Sequence, residues 1–294
     1  MKQPPPCPVC HGDTSHRHLS VEDHSVSHET FQIRKCADCQ FRFTYPIPAD
    51  LAKYYLSDAY VSHAEHSSNI IDHTYRFART FTLRWKYALI NKYCSGPSPK
   101  LLDYGCGTGT FLKYSQQQGM VITGIEPSPI ARKVASQLTK TTVAASLNEI
   151  GIADYDVITL WHVLEHVADI HETLQSLHSK LANAGLIFIA VPNYKSDDAE
   201  HYNKYWAAYD VPRHLWHFSQ DTMGRLLRTH GFTLDATVPM KLDAFYVSLL
   251  SEKYKNGGKA TAVTHAKGMI NGLKSNISAA SNKEYSSLIY IARK

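Results

Sequence analysis

The 294-residue sequence lacks three features that would assign it to a specialised class of protein. No apolar run approaches the roughly 20 residues that a membrane-spanning helix needs, and the first residues, MKQPPP, contain no apolar core of the secretory type. The formal charge is only +5, and the basic residues are scattered rather than gathered into runs. We therefore expect a cytoplasmic protein with no membrane span, for which nucleic acid is a disfavoured partner. The oligomeric state stays open.

Cysteine is scarce, and four of the six cysteines form two C-x-x-C pairs: Cys7 with Cys10, and Cys36 with Cys39. Each pair presents two sulfurs from one tight turn, and four thiolates complete the closed tetrahedral shell of a structural zinc ion, Zn2+. A disulfide framework is disfavoured in a reducing compartment. We predict a zinc ribbon over residues 1–46, with strands at 31–35 and 41–43 where apolar and polar residues alternate.

After a predicted helical lead-in at 47–98, strand and helix patterns alternate through a domain at 99–294. This alternation predicts an α/β fold in which helices cover both faces of a largely parallel sheet. Tyr54, Tyr55 and Tyr60 cluster in the lead-in, where residues 51–60 are expected to form a short helix under a cofactor lid. The stretch 242–283 interrupts the alternation and is predicted to be a helical insertion. The predicted strands lie at 101–104, 121–126, 142–144, 157–161, 186–191, 232–237 and 286–292.

The most informative motif is a glycine-rich turn that follows the first of these strands, with an acid one strand later: Asp103, Gly105, Gly107, Gly109 and Glu126. Glycines let the backbone turn tightly and approach a ligand, and a carboxylate at 126 can accept hydrogen bonds from ribose hydroxyls. A dinucleotide turn has the spacing G-x-G-x-x-G and must hold a pyrophosphate, which Asp103 would repel. Asp103 suits a cofactor with cationic sulfonium and ammonium groups, which indicates S-adenosyl-L-methionine.

These residues resemble motif I of the class I S-adenosylmethionine-dependent methyltransferases, and Glu126 falls where that family has its ribose-binding acid. The resemblance implies a Rossmann-like sheet of seven strands, whose last strand inserts antiparallel beside the sixth. It covers roughly residues 70–294 and leaves the cysteine module outside.

A second motif, Trp161-His162-Val163-Leu164-Glu165-His166-Val167, comes at the end of the fourth predicted strand. The carboxyl ends of parallel strands line the ligand crevice, so Trp161 and His162 should face the cofactor or the acceptor. The motif resembles the Leu-Glu-His-Val signature of many small-molecule methyltransferases. In quinone-biosynthesis O-methyltransferases, a further glutamate stands where this chain has His162, and the acids bind a metal. Glu165 and His166 therefore either bind a second metal or hold the loop through hydrogen bonds.

The stretch 202–219 follows the fifth predicted strand and is dense in aromatic residues and histidines. Its end resembles a segment of zinc-containing deoxysugar C-methyltransferases, which also begin with a four-cysteine module and whose corresponding histidine is thought to act as a base. Arg213 replaces the glutamate of that family. We hypothesise that His214 is the general base, assisted by His162 or His166, and that the acceptor is bound by Tyr209, Arg213 and His217. In the alternative interpretation, His214 and His217 only support the following helix.

The patterns together predict an S-adenosylmethionine-dependent methyltransferase that acts on a small-molecule biosynthetic intermediate. One alternative is an RNA methyltransferase whose ribbon grips nucleic acid, although the ribbon carries few basic residues. Another is a non-catalytic cofactor-binding protein in which the ribbon is an interaction module, against which the intact glycine turn argues. The lysine-rich stretch 253–274 is explained at least as well by a solvated helix face as by a binding surface.

Overall fold

The computed structural model describes residues 4–55, 70–94, 96–151 and 154–294, and of residues 70–80 it describes the backbone. Within these ranges, none of the helices combines the length and the apolar character that crossing a membrane requires. The predicted short helix at 51–60 begins as a 3-10 turn, Ala52–Tyr55. The remainder of that prediction, including Tyr60, lies outside the described residues.

Two sheets organise the described chain. The larger one has the strand order β5-β4-β6-β7-β10-β9, in which β4, β5, β6 and β7 run parallel and β10 is antiparallel to both of its neighbours. The predicted antiparallel insertion of the last strand beside the sixth is therefore confirmed. The strands of this sheet are β4 (Lys100–Tyr104), β5 (Val121–Ile125), β6 (Tyr155–Trp161), β7 (Leu181–Pro192), β9 (Thr233–Pro239) and β10 (Ser287–Arg293).

Helices pack on both faces of the larger sheet. Adjacent residues of each strand point to opposite faces, and apolar side chains on both faces are buried. Leu101, Val157 and Phe188 lie in one buried cluster, and Leu102, Ile158 and Ile189 lie in another. The helices are α1 (Ile70–Tyr93), α2 (Thr110–Gln117), α3 (Pro129–Thr139), α4 (Ile170–Lys180), α5 (Asp197–Tyr202), α6 (Gln220–Thr229), α7 (Asp243–Lys255) and α8 (Ala262–Asn282). The predicted α/β, Rossmann-like architecture is confirmed.

The strand count differs from the prediction, because the described residues form six strands in this sheet instead of seven. The weak strand predicted at 142–144 makes a single parallel bridge between Ala144 and Ile125. Only two backbone hydrogen bonds form there, from Ala144 N to Gly124 O at 3.0 Å and from Glu126 N to Ala144 O at 2.9 Å. A 3-10 turn at Leu147–Glu149 then takes the chain away from the sheet edge.

The smaller sheet contains the predicted ribbon and has the order β1-β2-β3-β8. The predicted strands at 31–35 and 41–43 correspond to β2 (Thr30–Cys36) and β3 (Arg42–Thr44), and β1 (Ser15–Glu22) precedes them. Its fourth strand, β8 (Trp216–His217), comes from the histidine-rich stretch and pairs antiparallel with β3. The ribbon is thus joined by main-chain pairing to the segment that follows the fifth strand of the large sheet.

Candidate active site

The glycine turn lies between β4 and α2 and takes a backbone conformation that favours glycine. Gly105, Gly107 and Gly109 have φ angles of +76°, +56° and +76°. A Cβ atom on Gly105 would lie 2.5 Å from a methyl of Val163, and one on Gly109 would lie 2.8 Å from the Cβ of Ala135. At Gly107 nothing lies within 4 Å of such an atom. The turn is therefore packed at its two ends and open at its centre, which leaves room for a ligand against the backbone.

Glu126 lies directly after β5 and contacts this open centre. Its Oε2 accepts a hydrogen bond from Gly107 N at 2.8 Å, and its Oε1 accepts one from Ser128 N at 2.9 Å. A carboxylate offers about four lone-pair positions, so two acceptors stay available for hydroxyl groups. The two backbone bonds fix the carboxylate beside the turn, as the predicted ribose-binding role requires.

Asp103 is the last residue but one of β4 and is buried, and it accepts a hydrogen bond from Thr159 Oγ1 at 2.7 Å. Burial raises the pKa of this carboxyl to about 7, while the Thr159 hydrogen bond and the Lys86 ammonium act in the opposite direction. Lys86 projects from α1 and lies 4.3 Å from the ring centroid of Trp161. A protein cation is therefore already close to Asp103. No sequence pattern pointed to this contact, because Lys86 is one lysine in a long amphipathic helix.

Trp161 and His162 stand where β6 ends. The indole ring of Trp161 packs edge-on against Phe111, with centroids 5.5 Å apart, and its buried Nε1 has no hydrogen-bond partner. His162 has a φ of +58°, which turns the chain sharply, and its Nε2 lies 3.0 Å from Oδ2 of Asp243. Burial alone would lower the pKa of His162, but the neighbouring carboxylates of Asp243 and Glu165 raise it to about 10. At neutral pH this raised pKa favours the protonated ring, which is a poor proton acceptor. The assisting catalytic role of His162 stays a prediction.

The loop after β6 and the histidine-rich stretch bring Glu165, His166 and His214 together, with one potential ligand atom from each within 4.8 Å of the others. The rings of His166 and His214 meet edge to face at a centroid distance of 4.5 Å. Glu165 is fully buried, and neither of its oxygens has a hydrogen-bond partner of good geometry, although Nδ1 of His162 lies 3.4 Å from Oε1. Burial raises the pKa of Glu165, yet the surrounding histidines hold it below its ordinary value.

Backbone contacts fix the orientation of both histidines. Nδ1 of His214 lies 2.9 Å from the carbonyl oxygen of Ala208, and Nδ1 of His166 lies 3.1 Å from that of Arg213. Because a carbonyl only accepts hydrogen bonds, each neutral ring carries its proton on Nδ1 and leaves Nε2 with a lone pair. Burial and the neighbouring His214 lower the pKa of His166 to about 4, so this ring is neutral. Nε2 of His214 also lies 3.9 Å from Oδ2 of Asp210. Two nitrogen lone pairs beside carboxylates can accept a proton or hold a divalent metal.

The three residues predicted to bind the acceptor lie in the interface with the ribbon. Tyr209 and His217 are buried and pack edge to face, with ring centroids 5.2 Å apart. Each of the three has a partner in the ribbon: Arg42 Nη1 to Tyr209 OH at 2.9 Å, Arg213 Nη2 to Asp23 Oδ1 at 2.8 Å, and Thr44 Oγ1 with His217 Nε2 at 3.1 Å. The structure thus gives these side chains an intramolecular role, and their contact with an acceptor stays a prediction.

The four ribbon cysteines form a second cluster. The Sγ atoms of Cys7 and Cys39 lie 3.5 Å apart, as do those of Cys10 and Cys36, and all four sulfurs lie within 4.8 Å of one another. Disulfide sulfurs are about 2.05 Å apart, so these are free thiols. Tetrahedral zinc with Zn–S bonds of about 2.3 Å separates its sulfurs by about 3.8 Å, which is close to the observed spacing. The donor set and its geometry therefore fit zinc.

Comparison with known proteins places this geometry in a family. The sequence model of a family described as a methyltransferase domain matches residues 73–237, more than half of the chain. The chain belongs to the methyltransferase domain family. The matched region of this methyltransferase domain contains the glycine turn, Glu126 and the cluster around Glu165, and it leaves the four ribbon cysteines and the whole helical insertion outside.

Several curated relatives of this methyltransferase domain are named ubiquinone biosynthesis O-methyltransferase. The one from Glaesserella parasuis is 34% identical over 122 residues, which is 37% of this chain and 52% of the relative. The one from Vibrio campbellii is 34% identical over 103 residues, which is 32% of this chain and 44% of the relative. The chain spans about half the length of the curated relatives it matches.

Solved structures share the fold of the methyltransferase domain at low sequence identity. Magnesium protoporphyrin IX methyltransferase from Synechocystis PCC 6803, solved with bound SAH, superposes with a TM-score of 0.54 at 16% identity, covering 82% of this chain and 96% of that one. A putative sarcosine dimethylglycine methyltransferase from Galdieria sulphuraria gives a TM-score of 0.51 at 17% identity, covering 74% and 87%. These similarities concern the fold alone.

Proposed function

We propose that this protein transfers a methyl group from S-adenosylmethionine to a small-molecule acceptor. The observation that carries the proposal is the contact of Glu126 with Gly107 N across a turn that is open at its centre. The backbone of residues 105–109 would hold the cofactor, and the free acceptors of Glu126 would bind its ribose. When bound, the cofactor supplies an electrophilic methyl group on a sulfonium. The names of the curated relatives support a small-molecule acceptor.

For the proton, we propose His214 as the general base. Ala208 holds its Nδ1, so the lone pair of Nε2 points away from that carbonyl and can take a proton from an acceptor hydroxyl, amine or carbon acid. Glu165, buried beside it, would stabilise the imidazolium that forms. Methyl transfer is an in-line displacement, so alignment of the acceptor supplies the rest of the catalysis.

A second candidate role for the same cluster is to bind a divalent metal. The oxygens of Glu165, which accept no hydrogen bond, support it, as do the Nε2 lone pairs of His166 and His214. Bound metal would occupy the lone pair of His214 and prevent it from acting as a base. The two roles therefore exclude each other and predict different responses to added metal ions.

We further propose a structural Zn2+ on Cys7, Cys10, Cys36 and Cys39. Four thiolates leave no open coordination position, which is typical of structural sites. Through β3 and β8 and the contacts of Tyr209, Arg213 and His217, the zinc-held ribbon would fix the segment that carries His214. The ribbon would then act by positioning the base.

The experiment that tests the activity is transfer of labelled methyl from S-adenosylmethionine into a host extract separated into RNA, protein and small-molecule fractions. A Gly105→Arg variant serves as the blank, because its side chain would collide with Val163 and fill the turn. Enzyme-dependent label among small molecules is expected. Label in RNA would support the RNA methyltransferase alternative, and cofactor binding with no labelled fraction would support the non-catalytic one.

Once an acceptor is found, variants of the cluster distinguish base from metal ligand. As a general base, His214→Gln should lower turnover about 100-fold or more with unchanged cofactor affinity, and added Mg2+ or Mn2+ should have no effect on the wild type. His16→Gln, an exposed histidine of β1, is the matched control. Stimulation by metal that disappears in Glu165→Gln would establish the metal role and reject the base.

A further inference from the structure

The helical insertion has a face that the proposed methyl transfer does not use. Helices α7 and α8 pack as a hairpin so close that only glycine fits at two positions of α8. A Cβ atom on Gly268 would lie 2.8 Å from Cα of Leu249, and one on Gly272 would lie 2.8 Å from Cα of Phe245. The buried side of α8 consists of small residues: Thr264, Gly268, Gly272, Ser275 and Ala279. These residues pack one side of α8 against the protein, and within the described chain the opposite side is exposed.

The opposite side of α8 carries an exposed apolar stripe. Val263, Ile270, Leu273 and Ile277 are 62%, 53%, 52% and 65% exposed, and the exposed Ala266 lies between the first two. At 3.6 residues per turn, these positions form one continuous line along the helix. Exposed large side chains scattered singly are ordinary on a protein surface, whereas a continuous stripe along a helix indicates a binding face.

The same hairpin carries the net positive charge of the whole chain. Residues 241–283 contain seven lysines and two acids, a net charge of +5, which equals the +5 of the complete sequence. The other 251 residues are balanced, with 24 basic and 24 acidic side chains. All seven lysines are exposed: Lys241, Lys253, Lys255, Lys259, Lys267, Lys274 and Lys283.

Both acids of the hairpin are engaged inside the protein. Asp243 contacts Nε2 of His162 at 3.0 Å, and Glu252 is buried and accepts hydrogen bonds from Tyr202 OH at 3.2 Å and from Asn271 Nδ2 at 3.1 Å. The outward surface of the hairpin is therefore apolar and cationic. Such a surface complements a partner that offers both an apolar region to bury the stripe and negative charge to pair with the lysines.

A second copy of α8 does not meet that description. Lys267 and Lys274 flank the apolar stripe, and residues 262–282 contain neither Asp nor Glu. Helices that associate along an apolar seam select partners through opposite charges at the flanking positions. An antiparallel pair of α8 helices would bring Lys267 and Lys274 close to one another, and in neither orientation does the helix offer an acid to pair with them.

We propose that the outer face of α8 docks this protein on the surface of a lipid bilayer that contains anionic phospholipid. The apolar stripe would enter the boundary between headgroups and acyl chains, and the flanking lysines would contact the phosphates. The helix lies in the plane of the surface and does not span it. The docking is independent of the methyl-transfer proposal and holds whichever acceptor the enzyme uses.

The test is co-sedimentation of the full-length, zinc-loaded chain with vesicles of phosphatidylcholine alone and of phosphatidylcholine mixed equally with phosphatidylglycerol. Binding is expected to the mixed vesicles only, and it should weaken steeply as salt is added. Leu273→Glu should reduce the bound-to-free ratio about tenfold or more, because it removes apolar contact and adds repulsion. Lys267→Glu with Lys274→Glu should reduce it while preserving the stripe.

The matched control is Leu138→Glu, which places the same charge at an exposed apolar position, 40% exposed, near the end of another helix. This variant should bind mixed vesicles like the wild type. Circular dichroism and thermal unfolding of each variant separate loss of binding from loss of fold. Absence of wild-type binding to the mixed vesicles would overturn the proposal. So would a concentration-dependent dimer, or retention on RNA, that is abolished by Leu273→Glu while vesicle binding is not.

Discussion

Arg213 and Asp23, separated by 190 residues in the sequence, form a buried ion pair in which Nη2 lies 2.8 Å from Oδ1. The same guanidinium contacts Asp210 and donates to the carbonyl oxygen of Tyr54 at 3.0 Å. Asp23 also accepts bonds from the turn that joins β1 and β2. One arginine thus ties the ribbon hairpin, the lead-in and the segment before His214 into a single unit.

The first prediction concerns how much these contacts of Arg213 stabilise the fold. Arg213→Met keeps much of the side-chain volume and leaves the buried carboxylate of Asp23 and the partly buried one of Asp210 without this cation, so it should lower the free energy of unfolding by about 3 kcal/mol or more. Urea unfolding of the zinc-loaded protein measures the change. Arg293→Met is the control, because its pair with Asp235 lies at the surface, where solvent screens the charges, and the loss of stability there should be much smaller. Equal losses in the two variants would contradict the prediction.

The features predicted from the sequence were those that short-range patterns encode. The alternation of strands and helices and the Asp103-to-Gly109 spacing depend on neighbours within a few residues. The contact of Glu126 with Gly107 N was not predicted, and the ribose-binding role of Glu126 stays a prediction. Long-range partners leave no such trace. Asp23 and Arg213 are individually ordinary charged residues, and only the fold brings them together.

The same limit explains the other omissions. Asp243 belongs to no sequence motif, yet it contacts His162. Lys86 is one of several lysines and arginines in a long helix, yet it faces Trp161. The strand predicted at 142–144 was too short to show from sequence alone that it would form only one bridge. Each of these contacts depends on how distant segments pack together, and no short-range pattern in a single sequence encodes that packing.

The second prediction is a pH dependence of stability with opposite signs for two neighbouring histidines. The pKa of His166 falls from 6.5 to about 4 on folding, so between these values the unfolded chain binds a proton that the native protein does not. Stability should therefore fall as the pH drops through this window. The pKa of His162 rises from 6.5 to about 10, so its contribution is complete below 6.5 and is lost as the pH rises towards 10.

Urea unfolding across this pH range checks both signs. His166→Gln should flatten the loss of stability on the acid side, and His162→Gln should flatten the loss on the alkaline side, each relative to the wild type. The two variants serve as controls for each other. If both variants changed the stability on the same side of the pH range, the assigned protonation states of His162 and His166 would be wrong.

The third prediction concerns the cofactor. Glu126→Gln keeps one acceptor oxygen but loses the charge that strengthens bonds from hydroxyl groups, so the Kd for S-adenosylmethionine should rise about 10- to 100-fold. Isothermal titration calorimetry measures this without knowledge of the acceptor. Glu172→Gln, an exposed acid in the first turn of α4, should leave the Kd unchanged. An unchanged Kd in Glu126→Gln would remove the ribose assignment.

The fourth prediction concerns zinc. Elemental analysis of the purified chain should find one zinc ion per molecule, and Cys36→Ser should lose it, because three thiolates cannot close the tetrahedral shell. Cys94→Ser is the matched control, since Cys94 lies at the end of α1 and outside the cysteine cluster, and it should retain the metal. Loss of zinc should also loosen the segment around His214, since β8 pairs with the ribbon strand β3. Hydrogen exchange should therefore increase at residues 209–219 as well as in the ribbon, and an increase confined to the ribbon would show that the acceptor segment holds its structure without the metal.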